Sequence, residues 1–135
     1  MSALLLDTNT LNYILKDIAP APARLEESVR QGRPLLLASV AHYELTRYLR
    51  LKGAHRLLRL YQDMTADWRQ CEPSFEDWDE AARIWADRHR SGQGISDPDL
   101  LLAALARRWN ATLVTNNTRH FTGLGLKMED WTVLP

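Results

Sequence analysis

Cysteine is almost absent. Cys71 stands alone among 135 residues, so no internal disulfide can form, and no Cys/Cys or Cys/His spacing marks a zinc site. A lone thiol fits a reducing compartment, and the expected location is cytoplasmic. An excess of either charge is missing as well. The 17 basic and 17 acidic side chains cancel, which argues against binding nucleic acid through a global positive field. No apolar run approaches the roughly 20 residues of a membrane span. Leu4-Leu5-Leu6 is too short for a signal-peptide core, and no basic segment precedes it; no membrane partner is expected. What is present is the composition of a globular protein, 45% hydrophobic and 25% charged. Residues 1–135 are expected to form a single domain around one core.

The cancelled charge is segregated along the chain. Arg47, Arg50, Lys52, His55, Arg56 and Arg59 form a stretch with no acid inside it, whereas Glu72 to Glu80 is acidic. A solvated helix face and a local strip for a polyanion account for the basic stretch equally well.

Short aliphatic runs alternate with helical periodicity. Leu4-Leu5-Leu6 reads as a buried strand that stops on Asp7. A short helix from Thr8 to Lys16 follows, broken by Pro20 and Pro22, and a second helix runs from Ala23 to Gln31. Leu35 to Ala38 is a second strand, with Ser39 as N-cap of a helix over Val40 to Lys52. Ala54 to Trp68 completes a helical hairpin, and Arg69 to Pro73 is a connector with room for a brief strand. The helix from Phe75 to Arg90 puts Trp78, Ala82 and Trp85 on one face, a spacing that predicts core packing. Asp97 and Pro98 are placed to cap and open the apolar helix from Leu100 to Trp109. Ala111 to Thr115 is a further strand, and a last short one lies near Leu126 or at Thr132 to Leu134. The alternation predicts an α/β fold: a mostly parallel sheet of four to five strands with helices on both faces.

In such a sheet the strand ends, and the starts of the helices that follow them, share one edge. Asp7 ends the first strand, Glu44 lies in the first turns of the helix after the second, and Asn116-Asn117 ends the last major strand. Asp99 lies in the first turn of a helix that leads into a strand, and the Gly-bearing loop before it allows the same edge. Each residue also has a local role open to it, as a cap, an Asx-turn or a complement to a helix dipole. Together, three carboxylates and an amide make a hard-oxygen site of the kind that takes Mg²⁺ or Mn²⁺. A cation there would activate water and neutralise a phosphoryl oxygen, so phosphodiester hydrolysis is the leading chemistry. His42, His55, His89 and His120 show no ligand spacing and are expected to be structural or exposed.

At these residues the sequence resembles a PIN-domain ribonuclease, of the VapC toxin branch of type II toxin–antitoxin (VapBC) systems. The resemblance rests on Leu6-Asp7-Thr8-Asn9, on Ser39 to Leu45, on Asp99-Leu100-Leu101-Leu102-Ala103-Ala104, on Leu113 to Phe121, and on Gly123 to Trp131. It implies a three-layer PIN-like fold and a Mg²⁺-dependent (Mn²⁺ possible) endoribonuclease. Its metal-binding carboxylates would be Asp7, Asp99 and Glu44, with Asp99 chosen over Asp97 because it directly precedes the Leu-Leu-Leu-Ala-Ala run. Asn117 stands where many relatives carry an acid; Asn116 and His120 are the other candidates for that fourth position. The Gly-Pro pair usual before the third acid is missing at Ile95-Ser96-Asp97-Pro98. The resemblance further implies an RNA substrate, a cognate VapB-type antitoxin and a toxin homodimer. The hairpin from Val40 to Trp68 is the expected docking surface, tested through Leu45, Leu49 and Leu57. Two rivals stand beside this reading. A phosphatase of the haloacid-dehalogenase type needs Asp-x-Asp, and Asn9 occupies the second position. A catalytically silent PIN-like module that only binds RNA or protein has no need of Asp7, Glu44 and Asp99, yet all three are present.

Overall fold

Leu4, Leu5 and Leu6 are at most 1% exposed, as expected of a strand covered on both faces. The computed structural model, which describes residues 1–135, places them in β1 (Leu4–Leu6) at the centre of a five-stranded sheet. Its other strands are β2 (Leu35–Ala38), β3 (Arg69–Cys71), β4 (Thr112–Val114) and β5 (Lys127–Glu129). The order is β3-β2-β1-β4-β5 and every pairing is parallel. The register aligns Leu4 with Leu35 and Thr112, and Thr112 with Lys127. The helices are α1 (Thr8–Leu15), α2 (Ala21–Arg30), α3 (Ser39–Leu51), α4 (His55–Thr65), α5 (Phe75–Arg90) and α6 (Asp97–Arg108). Right-handed crossovers between parallel strands put α1–α4 on one face and α5–α6 on the other.

The α/β architecture and the parallel sheet are as the sequence predicts, and the Arg69–Pro73 connector does hold a strand. α6 is buried on all sides from Leu100 to Ala106, which is why its sequence shows no polar face. α5 lies antiparallel to it: Asp77 near the start of α5 meets Arg108 at the end of α6, and Glu80 meets Arg107. The chain therefore turns at residues 91–96 and opens α6 at the edge where β1 and β4 end.

Several local expectations are corrected. Ser39 is the first residue of α3 and its N-cap position is Ala38, which has no side-chain acceptor, because the strand runs straight into the helix. Ser96, not Asp97, caps α6, its hydroxyl accepting from the Asp99 N–H. Of the two places offered for the last strand, the one near Leu126 holds, as Lys127–Glu129, and residues 132–134 lie outside the sheet. Trp78 and Trp85 are 54% and 45% exposed. α5 instead buries Asp77, Ala81 and Ile84. The Asp77–Arg108 ion pair and the Ser74–Asp77 capping box turn that stripe inward and leave the tryptophans on the flank. Leu45 and Leu49 are each 1% exposed. The apolar stripe of α3 is consumed by the core, so those leucines belong to folding and not to a docking surface. Cys71 is buried beside Arg108 and Asp77, and burial pushes its thiol up to about 11.

The far edge is fastened electrostatically. Glu129 at the end of β5 accepts from both terminal nitrogens of Arg33 (2.6 and 3.2 Å) and from the Trp131 indole N–H (3.0 Å), with Arg24 at 3.6 Å. The Arg33 hydrogen bonds hold the Glu129 carboxyl below its ordinary range, against the opposing effect of burial. Trp131 itself is 1% exposed. Trp131→Ala is expected to cost about 3–5 kcal/mol in urea unfolding, and Glu129→Gln about 1–2 kcal/mol. A folded-state acidity stronger than the unfolded one stabilises above the unfolded value and is lost as pH falls through the folded one. The gap between wild type and Glu129→Gln should accordingly narrow in acid; a gap independent of pH would assign the loss to packing alone.

Candidate active site at the β1–β4 switch point

From β1 the sheet grows outward through β2 and β3, then resumes on the other side with β4 and β5. The order reverses between β1 and β4, and the crevice beyond their carboxyl ends is where open α/β sheets hold ligands. Asp7 follows β1 directly and Thr115-Asn116-Asn117 follows β4.

Asp7 is fixed from both sides. Its N–H donates to the Val114 carbonyl at 3.0 Å, and its Oδ1 accepts from the Thr10 N–H at 2.8 Å as the N-cap of α1. The side chain is nearly closed to water, with the residue 6% exposed. Burial raises its carboxyl above the ordinary range; the Thr115 and Thr10 hydroxyls and the Thr10 amide pull the other way, and the charge of Asp99 adds to the rise. Local capping and a site role are therefore not alternatives here: one oxygen caps, and the carboxylate still lines the crevice.

Asp7, Glu44, Asp99 and Asn117 line one cavity of about 220 Å³. Thr8, Asn9 and Ser96 complete its polar wall. Glu44 is held by the Thr8 hydroxyl, which donates to Oε1 at 2.8 Å. Asp99 Oδ2 lies 3.3 Å from His120 Nδ1 on the short 3-10 turn Thr118–Phe121. The Asn117 N–H donates to the Thr115 hydroxyl at 3.0 Å, a turn that directs the chain past the cavity mouth. Asn116 is turned away, its Nδ2 donating to the Tyr13 hydroxyl at 3.1 Å. Of the three candidates for the fourth position, Asn117 lines the cavity, His120 touches Asp99 and Asn116 does neither.

No group of three His, Cys, Asp or Glu side chains stands close enough together to cage a cation. The donor chemistry nonetheless fits a hard one. Asp7, whose proton affinity the charge of Asp99 helps to raise, shares with Asp99 a crevice that no Lys or Arg lines, and Mg²⁺ commonly binds through one or two carboxylates while keeping several waters. The sequence does not single out Thr8, Thr115 and Ser96 as site residues, and it offers His120 both as a structural or exposed histidine and as a candidate for the fourth position. Their signal was positional, each lying within three residues of a flagged acid or amide.

The family model for the PIN domain matches residues 4–124. The chain is 30% identical over 138 aligned positions to the tRNA(fMet)-specific endonuclease VapC of Shigella flexneri, covering 97% of this chain and 99% of that protein. The solved structure of VapBC-1 from nontypeable Haemophilus influenzae aligns with a TM-score of 0.77 at 25% identity, over 97% of this chain and 99% of that one. VapBC2 from Rickettsia felis, bound to a DNA fragment from its promoter, aligns with a TM-score of 0.83 at 23% identity, over 96% of this chain and 98% of that one. The chain belongs to the PIN-domain family, and within it stands with the VapC proteins.

Proposed function

We propose that this chain is a divalent-metal-dependent endoribonuclease, the toxin of a VapBC-type pair, which hydrolyses RNA phosphodiester bonds and is silenced by a cognate antitoxin. Residues 1–135 act in this reading as one domain, paired in a homodimer. The observation that carries it is the meeting of Asp7 and Asp99 across a polar crevice at the switch point of the sheet.

Asp7 and Asp99 would hold the cation, Mg²⁺ or Mn²⁺. Bound there, it supplies acidification of water and neutralisation of charge on a phosphoryl oxygen. The protein's own groups do the rest. Thr8 fixes Glu44 through Oε1, which leaves Oε2 to orient the attacking water and receive its proton. Asn117 offers an amide N–H₂ to a phosphate oxygen without adding charge. The buried backbone around Asp7 keeps this geometry rigid before substrate arrives.

Induction of the wild-type chain without antitoxin is expected to arrest growth and leave new discrete RNA ends, while Asp7→Asn and Asp99→Asn are expected to do neither. In vitro each of these changes should lower cleavage on the order of 10³-fold, and Thr8→Val about 10–100-fold, since it loosens a supporting contact only. Equal growth and intact RNA in all three, with folded protein, would move the assignment to the silent binding module.

A second readout does not need activity. A carboxyl whose proton affinity is raised by folding destabilises the fold once ionised, and that cost disappears as pH falls through its folded value. Asp7→Asn keeps an N-cap acceptor and removes the charge. In chelator-treated protein at neutral pH it should raise Tm by a few degrees, about 4 °C per kcal/mol at this size, with the gain shrinking in acid. Added Mg²⁺ or Mn²⁺ should stabilise the wild type and not the variant. A metal response of equal size in both would remove Asp7 from the cation site.

A further inference from the structure

Beside the carboxylate cavity runs a larger groove of about 630 Å³ between α1 and α3. The two share Thr8, Asn9 and Glu44, so the groove opens directly from the place assigned to the reaction. Its α3 wall is Glu44, Leu45, Arg47, Tyr48 and Leu51; Leu45 is a buried core residue, and the other four are spaced i, i+3, i+4, i+7 on a single helix face. Leu51 is 83% exposed and Tyr48 37%, so the core leaves these two side chains free.

The charge of this face is unanswered. Arg24, Arg30, Arg33, Arg83, Arg90, Arg107 and Arg108 all reach carboxylates. Arg47, Arg50, Lys52, Arg56 and Arg59 reach none, and neither does Lys16. In a chain of zero net charge, the α3–α4 hairpin is left locally positive, while the arginines of α2 and α6, and two of the three in α5, are paired with carboxylates. Two of the unpaired cations lie against tyrosine rings. Lys16, just past the end of α1, stands 5.5 Å from the centre of the groove residue Tyr48 and donates to its hydroxyl at 3.4 Å. The groove residue Arg47 lies 4.9 Å from the centre of Tyr43, its neighbour outside the groove lining. Asn12 lines the same groove, and its Oδ1 is buried with no hydrogen-bond donor. Cations beside exposed aromatic faces are the chemistry of a single-stranded nucleic acid track: phosphates meet the cations and bases stack on the rings.

We propose that the α1–α3 groove binds the single-stranded RNA flanking the scissile phosphate, with Lys16 and Arg47 meeting its backbone and Tyr48 stacking a base. The proposal rests on the reading of the chain as a ribonuclease and extends it to where the substrate lies. From Asn9 to Lys16 the helix advances about 10 Å, room for about three stacked nucleotides at about 3.4 Å each. The tyrosines favour unpaired RNA, whose bases are free to splay onto side chains, over an A-form duplex.

The test uses a fluorescein-labelled 12-nucleotide single-stranded RNA, titrated by anisotropy against full-length Asp99→Asn protein, which retains the probe intact. In that background, Lys16→Ala with Arg47→Ala should weaken binding at least 10-fold. The same double change should flatten the slope of log K against log salt by about 0.7 for each lost phosphate contact. Tyr48→Ala should weaken binding about 5- to 100-fold by loss of stacking, with Tyr48→Phe restoring it. With Asp99 intact, the groove changes should raise KM for RNA with little effect on kcat. Wild-type affinity and salt slope in all variants of a protein that does bind RNA would overturn the groove alone. So would variants that keep RNA affinity but lose a cognate antitoxin, which would assign the groove to protein. A parent that neither binds nor cleaves RNA would overturn both the groove and the ribonuclease reading. Unchanged circular dichroism and melting in the variants checks that the exposed side chains were removed without disturbing the fold.

Discussion

A carboxylate withdrawn from water at the end of a central strand is unfavourable in isolation, and the fold is arranged so that Asp7 sits there nonetheless. Its amide is taken by β4, one oxygen is taken by the first turn of α1, and the hydroxyls of Thr10 and Thr115 partly replace the lost hydration. The remaining strain is electrostatic, and it is directed at a single point: the crevice shared with Asp99. Everything that brings Asp99 there follows from the antiparallel seat of α5 on α6, which delivers the first turn of α6 to the same edge as the ends of β1 and β4. An uncompensated negative crevice of this kind is selective before any ligand is bound, since a cation relieves what burial imposed.

The surroundings are built by contrast. Around the crevice the supporting contacts, His120 on Asp99 apart, are neutral hydroxyls: Thr8 on Glu44, Ser96 on the Asp99 amide, Thr115 on the Asn117 amide. Hydroxyls orient carboxylates and backbone without cancelling their charge, whereas an arginine would occupy the site. Arginine–carboxylate pairs are instead spent on α5–α6 and on the fastening of β5, where they hold elements together. The two uses of charge are kept apart in space, and the neutral total conceals that division.

Much of this was legible in the sequence. Buried strands are short unbroken aliphatic runs, and Asp7 and the Asn116-Asn117 pair announce themselves by ending them; Glu44 and Asp99 are legible from the first turns of helices at the same edge, and the resemblance decides Asp99 over Asp97 and Asn117 over Asn116. The central sheet, its parallel pairing and the placement of each long helix follow from the alternation of runs and periodic stretches. What was illegible depended on a partner distant in sequence. Trp78 and Trp85 have the spacing of a core stripe, but Arg108 draws Asp77 inward and rotates them out. Leu45 and Leu49 look like an excess of apolar surface until the sheet above them is assembled. The role of His120 requires knowing that a 3-10 turn after β4 folds back over α6, and nothing within the residue's own neighbourhood encodes that.

Cys71 lies at the end of the edge strand β3, 2% exposed, with its thiol pushed up to about 11. The folded chain is therefore unreactive toward thiol-directed reagents at neutral pH, on both accessibility and thiolate content. The only way for such a reagent to reach this sulfur is for β3 to separate from β2 or for the α5–α6 layer to lift. The native sequence thus carries a built-in clock for local opening: its rate of alkylation measures how often the sheet's outer strand comes undone, without any probe being introduced.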